Sequence, residues 1–309
     1  MGNTISKSTL FPAKLAGEMF NKVKGKSSLA KLSGSEPIPF TGKSIFTFNF
    51  DNEVSVVAEN GKKANGGGTV TPKTVVPVKF EYGMRVSDEF LYAAEEDQIE
   101  ILKSFAEGFS RKLARGIDIA AFHGVNPRTG EASAVIGDNC FDAAVTANVV
   151  TYDSTAPDAN IDAAVALVEA SDAEATGIAI APAMRGHIAA LAAQGARKYP
   201  EFAFGGMPET MGAMALDVNS TVSFGDSLDR AVVGDFAGAF RWGFAKEIPL
   251  KVIEYGNPDN DDVAGDLQGA NQVYLRAEAY VGWAIMDPSS FAIVAAEAET
   301  TSEVVEGET

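Results

Sequence analysis

The chain has 309 residues, of which 46% are hydrophobic and 22% are charged, a composition typical of a folded globular protein. No run of about 18 uncharged apolar residues occurs, so no transmembrane helix is predicted, and the N-terminus lacks the apolar core of a secretory signal. Cys140 is the only cysteine, which excludes an intrachain disulfide and fits a reducing compartment. Because His123 and His187 are the only histidines, we expect no metal site.

Charge is unevenly distributed along the sequence. The formal net charge is −17, but residues 1–45 hold seven lysines and two glutamates, a net charge of +5, which leaves −22 for the remainder. Phosphate contacts require Lys and Arg, so we expect the acidic body to repel nucleic acid. Residues 296–309 form an acidic tail that we expect to be disordered and solvated.

Residues 1–45 are predicted to form an N-terminal arm. Apolar residues recur there at helical spacing: Leu10, Phe11, Leu15, Met19 and Val23. Glycines and prolines then break the helical pattern. Lysines lie opposite the apolar stripe, which is compatible with a helix on a membrane surface. Because the stripe is only about three turns long, we favour docking on a neighbouring protein surface.

Residues 46–82 are predicted to form an extended β-hairpin. Phe46 and Phe48 alternate with polar residues on the outgoing strand, and Val76 and Val78 alternate with other residues on the return strand. The glycine-rich tip between the strands carries the polar residues Lys62, Lys63 and Asn65. An isolated two-stranded hairpin is marginally stable in water, so this one must pack on another surface. That surface is either its own domain or, as we favour, another subunit.

Residues 88–122 are predicted to form one long helix, which Ser87 can cap. Its apolar stripe consists of Leu102, Phe105, Phe109, Leu113 and Ile117. Acidic residues, including Glu95 and Glu96, fill the first half and basic residues fill the second, which matches the helix dipole. At 1.5 Å per residue such a helix spans roughly 52 Å.

The C-terminal half alternates helix and strand. Helices are predicted from Asn160 to about Ala170 and from Met184 to Arg197, with a short buried strand over 177–182 between them. Residues 211–245 and 248–295 are strand-rich, with clear alternation from Val273 to Val281.

Motifs that carry chemistry are scarce. We find no phosphate-binding loop, dinucleotide fingerprint or nucleophile elbow. Cys140 with His123 or His187 would make a nucleophile pair only if the fold brought them together, and a buried thiol with two incidental histidines is the simpler interpretation. A run of acidic residues comprises Asp259, Asp261, Asp262 and Asp266. We favour a solvated loop for this run over a weak cation-binding site. We therefore expect no enzyme, no catalytic residue and no cofactor.

The order of these elements resembles that of the major capsid proteins of tailed bacteriophages with the Hong Kong 97 fold. The resemblance covers roughly residues 40–295 and depends on the order and spacing of weak motifs. The stretches that carry it are Arg85–Leu91, Arg115–Asp118, Phe122–Gly124, Ile178–Pro182, Gly234–Phe236 and Arg276–Phe291.

The resemblance implies an α+β fold with an N-terminal arm, an extended hairpin called the E-loop, a peripheral domain with a long spine helix, and an axial α/β domain. The implied boundaries are 1–45 for the arm, 46–82 for the E-loop, 83–150 for the peripheral domain, 151–240 for the axial domain, 241–295 for the returning peripheral strands and 296–309 for the tail.

The family also implies a structural role without catalysis. Hexamers and pentamers would close an icosahedral shell around double-stranded phage DNA, bound without sequence specificity, in a virion assembled in the host cytoplasm. The expected partners are further copies of the chain and portal, scaffolding or decoration proteins, with no membrane. Many members carry a scaffolding segment before the arm; here the arm follows Met1, so we expect a separate scaffold or none.

Two rival functions stay open at this point. An encapsulin, a bacterial compartment that stores enzymes, has the same fold, and a cytosolic α/β hydrolase would use Cys140. Under the capsid interpretation, the residues expected at contacts between subunits are Phe46, Phe48, Lys62, Lys63, Asn65, Val76, Val78, Glu95, Glu96, Asp259 and Asp261.

Overall fold

The structure is a computed structural model that describes residue 23 and residues 26–50, 52–63, 65–93, 95–246 and 250–297, without the side chains of residues 47–50, 71, 95, 96 and 246. Most of the predicted arm helix and of the acidic tail lies outside these residues. In chain order, the described elements are α1 (Ser28–Leu32), β1 (Lys43–Phe50), β2 (Gly68–Val75), β3 (Val78–Ser87), α2 (Glu95–His123), α3 (Phe141–Ala144), β4 (Val149–Thr151), α4 (Pro157–Glu169), β5 (Gly177–Ile180), α5 (Pro182–Ala190), β6 (Ala192–Ala193), β7 (Ala196–Arg197), β8 (Thr210–Met211), β9 (Met214–Val218), β10 (Asp229–Gly234), β11 (Phe240–Lys246), β12 (Leu250–Ile253), β13 (Gln272–Ile285) and β14 (Phe291–Ala295).

The chain divides into two compact units. Unit one comprises Met1–Ile117 and Phe240–Met286, and unit two comprises Asp118–Ala239 and Asp287–Thr309. Helix α2 therefore begins in unit one and ends in unit two. Residues 118–150 group with unit two, whereas the sequence-based boundary of the peripheral domain is drawn at residue 150.

Unit one is built on a four-stranded antiparallel sheet. The long strand β13 pairs with β3 along one edge and with β11 and β12 along the other. The predicted apolar stripe of the long helix, from Leu102 to Ile117, is buried as expected. Tyr82 on β3 and Phe105 on α2 bring their ring centroids to 6.3 Å, so the helix packs on the sheet through this stripe.

The hairpin has a different return strand from the predicted one. β1 pairs with β2 from Lys43↔Val75 to Phe50↔Gly68, so the prediction of a return strand over 76–82 is wrong. β3 pairs instead with β13 in the main sheet. The interval 68–75 is rich in β-branched threonine and valine, which favour a strand.

Two predicted helices are shorter than expected. Asp88–Leu91 forms a 3-10 turn capped by Ser87, whose Oγ accepts a hydrogen bond from Glu89 N at 3.3 Å, and α2 begins only at Glu95. Helix α5 ends at Ala190, and the residues up to Arg197 form the small hairpin β6–β7. Gln194 and Gly195 turn it with φ values of 53° and 83°, a pair of left-handed residues that closes tight hairpins.

Unit two is built on a six-stranded mixed sheet in the order β4-β14-β10-β5-β9-β8. Strand β5 pairs parallel with β9 and antiparallel with β10, and β14 pairs parallel with β4. Helices α4 and α5 bury Ile161, Val168 and Ile188 in one apolar core with residues of these strands. The predicted buried strand is confirmed, because all of Gly177–Ile180 is buried.

Candidate functional site

One face of the hairpin presents apolar side chains to solvent. Phe46 and Val70 lie on the same face, two residue pairs apart, and are 61% and 49% exposed. Val76, directly after β2, is 61% exposed, and Val54 and Val56 in the tip are almost fully exposed. Exposed large apolar side chains along one face of this kind indicate a protein-interaction site. We call Phe46, Val70 and Val76 the outer hairpin face.

Only the base of the hairpin is anchored on the rest of unit one. Val75 is 1% exposed and packs with Ile38 and Ala284 in a small apolar cluster. Beyond this base, the outer hairpin face remains exposed in the described part of the chain. The hairpin is thus held at one end and offers its length to another surface.

The segment that precedes the hairpin extends the main sheet. Glu36 N donates to Trp242 O at 2.9 Å and Ile38 N donates to Phe244 O at 3.3 Å, so the segment adds to the free edge of β11. A Cβ atom at Gly243 would overlap the carbonyl oxygen of Glu36. Only glycine allows the two backbones to approach this closely.

Arg85 on β3 holds the acidic loop between β12 and β13. Its Nε and Nη2 donate to the two carboxylate oxygens of Asp259 at 2.8 and 2.6 Å. Nη2 also donates to Asn257 Oδ1 at 2.8 Å and Gly265 O at 2.9 Å. The hydrogen bonds from Arg85 lower the pKa of Asp259 below its ordinary value. Asp261 accepts hydrogen bonds from two backbone N–H groups of the same loop, so the loop has a defined conformation.

A second charge cluster lies on the polar face of the main sheet. Glu278 on β13 has a side chain only 8% exposed and accepts a hydrogen bond from Lys79 Nζ at 3.0 Å. Arg276 Nε lies 3.3 Å from the same oxygen, and Lys251 Nζ lies 4.0 Å from the other. The hydrogen bond from Lys79, with the charges of all three cations, lowers the pKa of Glu278.

We expect Glu278→Gln to lower the free energy of unfolding at neutral pH and to make that free energy less dependent on pH in the acid range. A carboxyl group whose pKa is lowered by folding stabilises the protein above its unfolded pKa, and this contribution is lost as the pH falls through the folded pKa. With an ordinary pKa of 4.5 for Glu278, the loss occurs below that pH. The loss on substitution at pH 7 is about 1–2 kcal/mol, because the lysines stay solvated.

Urea unfolding of both proteins at neutral pH and at about pH 3 measures this effect. The difference between wild type and Glu278→Gln should shrink in acid, where the wild-type carboxyl group takes up a proton. An equal difference at the two pH values would show that the charge of Glu278 contributes nothing.

A buried cluster in unit two joins three distant parts of the sequence. His123 ends α2, and its Nδ1 lies 2.9 Å from Asp142 Oδ2 and 3.9 Å from Asp229 Oδ2. His123 Nε2 donates to the carbonyl oxygen of Thr221 at 2.8 Å. Burial, together with the charge of Asp142, raises the pKa of Asp229 to about 7. Burial alone would lower the pKa of His123, but the hydrogen bond and charge of Asp142, the hydrogen bond to Thr221 and the charge of Asp229 together outweigh it, and the pKa is raised.

Cys140 lacks the features of a nucleophile. It is buried, and burial raises the pKa of its thiol, which opposes formation of the thiolate. His123 instead pairs with Asp142, and His187 Nδ1 lies 2.6 Å from the Tyr152 hydroxyl. The geometry thus favours the interpretation of Cys140 as a small buried residue.

The structure distributes the predicted contact residues over three regions of unit one. Lys62, Lys63 and Asn65 are exposed at the hairpin tip, and Val78 is half-buried in β3. Asp259 and Asp261 lie together in the acidic loop. The side chains of Phe48, Glu95 and Glu96 are outside the described residues.

The sequence predicted neither the hydrogen bonds between Arg85 and the acidic loop nor the cluster around His123. Their members are far apart in the chain, Arg85 and Asp259 by 174 residues, and no local motif links them.

The chain belongs to the phage capsid family, whose model matches residues 8–296. This membership confirms the resemblance inferred from the sequence. It also supports a structural role in a capsid shell rather than an enzymatic one. The encapsulin alternative is not favoured.

Solved structures agree with this assignment. A protein of Mycobacterium phage Ogopogo is 32% identical, with a TM-score of 0.74 over 88% of this chain and 92% of that one. A protein of Gordonia phage Cozz is 26% identical, with a TM-score of 0.72 over 89% and 87%. The "Capsid of empty GTA particle computed with C5 symmetry" has the same fold at 13% identity, with a TM-score of 0.61 over 88% and 90%. No curated protein sequence matches significantly.

In the part of the chain that the structure describes, every helix is too short or too polar to cross a bilayer.

Proposed function

We propose that the chain is the major subunit of an icosahedral phage head, in which hexamers and pentamers enclose double-stranded DNA. Membership of the phage capsid family supports a shell role. A similar fold occurs in a capsid whose structure was computed with five-fold symmetry. The observation that carries the proposal is the outer hairpin face, which is exposed on the single chain and has the apolar character of an interface.

In this proposal the hairpin is the E-loop of the shell and lies over the peripheral domain of the next subunit. Helix α2 is the spine helix, unit one is the peripheral domain, and unit two is the axial domain. Burying the outer hairpin face supplies the main driving force, at about 25 cal/mol per Å² of apolar surface.

Polar contacts would orient the hairpin on its neighbour. Lys62 and Lys63 would meet the acidic start of α2 on the next subunit, near Glu95 and Glu96. Each exposed ion pair contributes only about 0–1 kcal/mol. The acidic loop, held by Arg85, would present Asp261 to a further neighbour.

The charge distribution suits a container for DNA. The body of the chain, with a net charge of −22 outside the +5 arm, would keep packaged DNA from adhering to the shell. The basic arm would bind neighbouring chains or an internal scaffold. Portal, scaffolding and decoration proteins and assembly in the host cytoplasm belong to the same proposal.

Expression of the full chain tests the proposal directly. Electron microscopy and sedimentation should find closed shells or rings built from many copies, and purified shells should not retain duplex DNA at about 0.15 M salt. A compact monomer at high protein concentration would contradict the shell proposal. Tight DNA retention by intact shells would contradict only the proposed role of the acidic body.

A further inference from the structure

His123, Asp142 and Asp229 direct three potential ligand atoms toward one point in unit two. His123 Nδ1 and one carboxylate oxygen of each aspartate all lie within 4.8 Å of one another. The three residues come from the end of α2, from α3 and from the start of β10. The His123 side chain is 4% exposed and that of Asp229 is 13% exposed, whereas Asp142 is 39% exposed and leaves a path to solvent.

The hydrogen bond of His123 Nε2 determines the protonation of the other ring nitrogen, Nδ1, which faces the two aspartates. A backbone carbonyl oxygen can only accept, so the 2.8 Å contact with Thr221 O requires a hydrogen on His123 Nε2. In the neutral ring, Nδ1 then carries a lone pair directed at Asp142 and Asp229. A lone pair and two carboxylates repel one another unless a positive species, a proton or a metal ion, lies among them.

The Thr221 carbonyl is itself held in place. Thr221 N donates to Asn219 Oδ1 at 3.1 Å, and Asn219 Nδ2 donates to Asp118 Oδ2 at 3.2 Å. Thr221 is fully buried. A histidine that donates its second N–H to a fixed carbonyl is the usual outer arrangement around a metal-binding imidazole.

We propose that His123, Asp142 and Asp229 bind one divalent transition-metal ion, with Zn²⁺ as the best match. Around an ion with bonds of about 2.1 Å, the observed ligand separations of 2.9 and 3.9 Å correspond to ligand angles of about 90° and 135°. The imidazole nitrogen favours zinc over calcium, magnesium and manganese, which prefer oxygen ligands. Water would complete the coordination on the side where Asp142 is exposed.

Such an ion would tie three segments of unit two together. The end of helix α2, helix α3 and strand β10 are separate segments of unit two, so a shared ligand sphere would stabilise the folded chain in proportion to metal occupancy. The role is structural and adds a site to the shell subunit without depending on how the subunits assemble.

The test compares Asp142→Asn and Asp229→Asn with Asp226→Asn, a control at an exposed aspartate three residues before Asp229. The full chain is treated with chelator, desalted, and titrated with ZnCl₂ or MnCl₂ in excess Mg²⁺, which occupies weak carboxylate sites. Bound metal is counted by elemental analysis, and the melting temperature is measured with and without metal.

We expect wild type and Asp226→Asn to bind one equivalent of zinc more than the two cluster variants, whose affinity falls at least tenfold. Zinc should raise the melting temperature of only the first two proteins. Equal zinc binding by all four proteins would mean adventitious surface ions and overturn the proposal. Absence of binding, with a melting temperature that rises only on acidification, would assign a shared proton to the cluster instead.

Discussion

Introducing charge on the outer hairpin face should abolish shells while leaving the subunit folded. In the double variant Phe46→Asp/Val70→Asp, both substitutions fall at positions that are solvent-exposed in the single chain, so the free energy of unfolding should change by about 0.5 kcal/mol or less. In the proposed shell, both positions are buried against a neighbouring subunit. There each large apolar side chain contributes about 1.5–3 kcal/mol, and an unpaired buried charge costs more.

The hairpin itself offers a matched control. Thr69→Asp introduces one negative charge on the same strand next to Val70, but on the opposite face of the β1–β2 ladder. Sedimentation and electron microscopy should find shells for Thr69→Asp and only small species for the double variant, with equal circular dichroism spectra. Normal shells from the double variant would show that this face is not an interface. Loss of shells in both proteins would indicate a general effect of charge.

Sequence periodicity was informative where one face of an element is buried. The stripe from Leu102 to Ile117 was predicted correctly, because its spacing matches a helix that packs on a sheet. The strand Gly177–Ile180 was recognised because all its residues are apolar and buried. The return strand of the hairpin was missed, because the alternation of Val76 and Val78 also suits an edge of the main sheet, and only tertiary pairing with β13 distinguishes the two.

The candidate sites were predictable to different degrees. The exposed hairpin tip with Lys62 and Lys63 follows from its glycine-rich, polar sequence. The pairing of Arg85 with Asp259 spans 174 residues, and the cluster of His123, Asp142 and Asp229 brings together residues of three elements; composition and local spacing specify neither. Local spacing therefore makes His123 look incidental, although its side chain is only 4% exposed.

Removing the ring of Phe141 should destabilise unit two more than any surface change. Phe141 is fully buried on α3, between Phe122, Phe236 and Phe291. Its ring centroid lies 5.6, 5.9 and 5.0 Å from theirs, and the contact with Phe291 is edge-to-face. Truncation of a buried phenylalanine to alanine costs about 3–5 kcal/mol, through lost burial and the cavity that remains. Loss of the aromatic contacts places Phe141→Ala at the upper end of that range.

Two further variants separate this packing effect from a general effect of losing a phenylalanine. Phe141→Leu keeps most of the buried volume and should lose less than half as much stability, whereas Phe204→Ala, at a ring that is 99% exposed, should change it by about 0.5 kcal/mol or less. Calorimetry at one protein concentration and assembly state should show Phe141→Ala melting roughly 6–20 °C lower. Because α3 also carries Asp142, zinc binding should weaken in parallel. A melting temperature for Phe141→Ala equal to that of Phe204→Ala would mean that the packing of the four rings does not stabilise unit two.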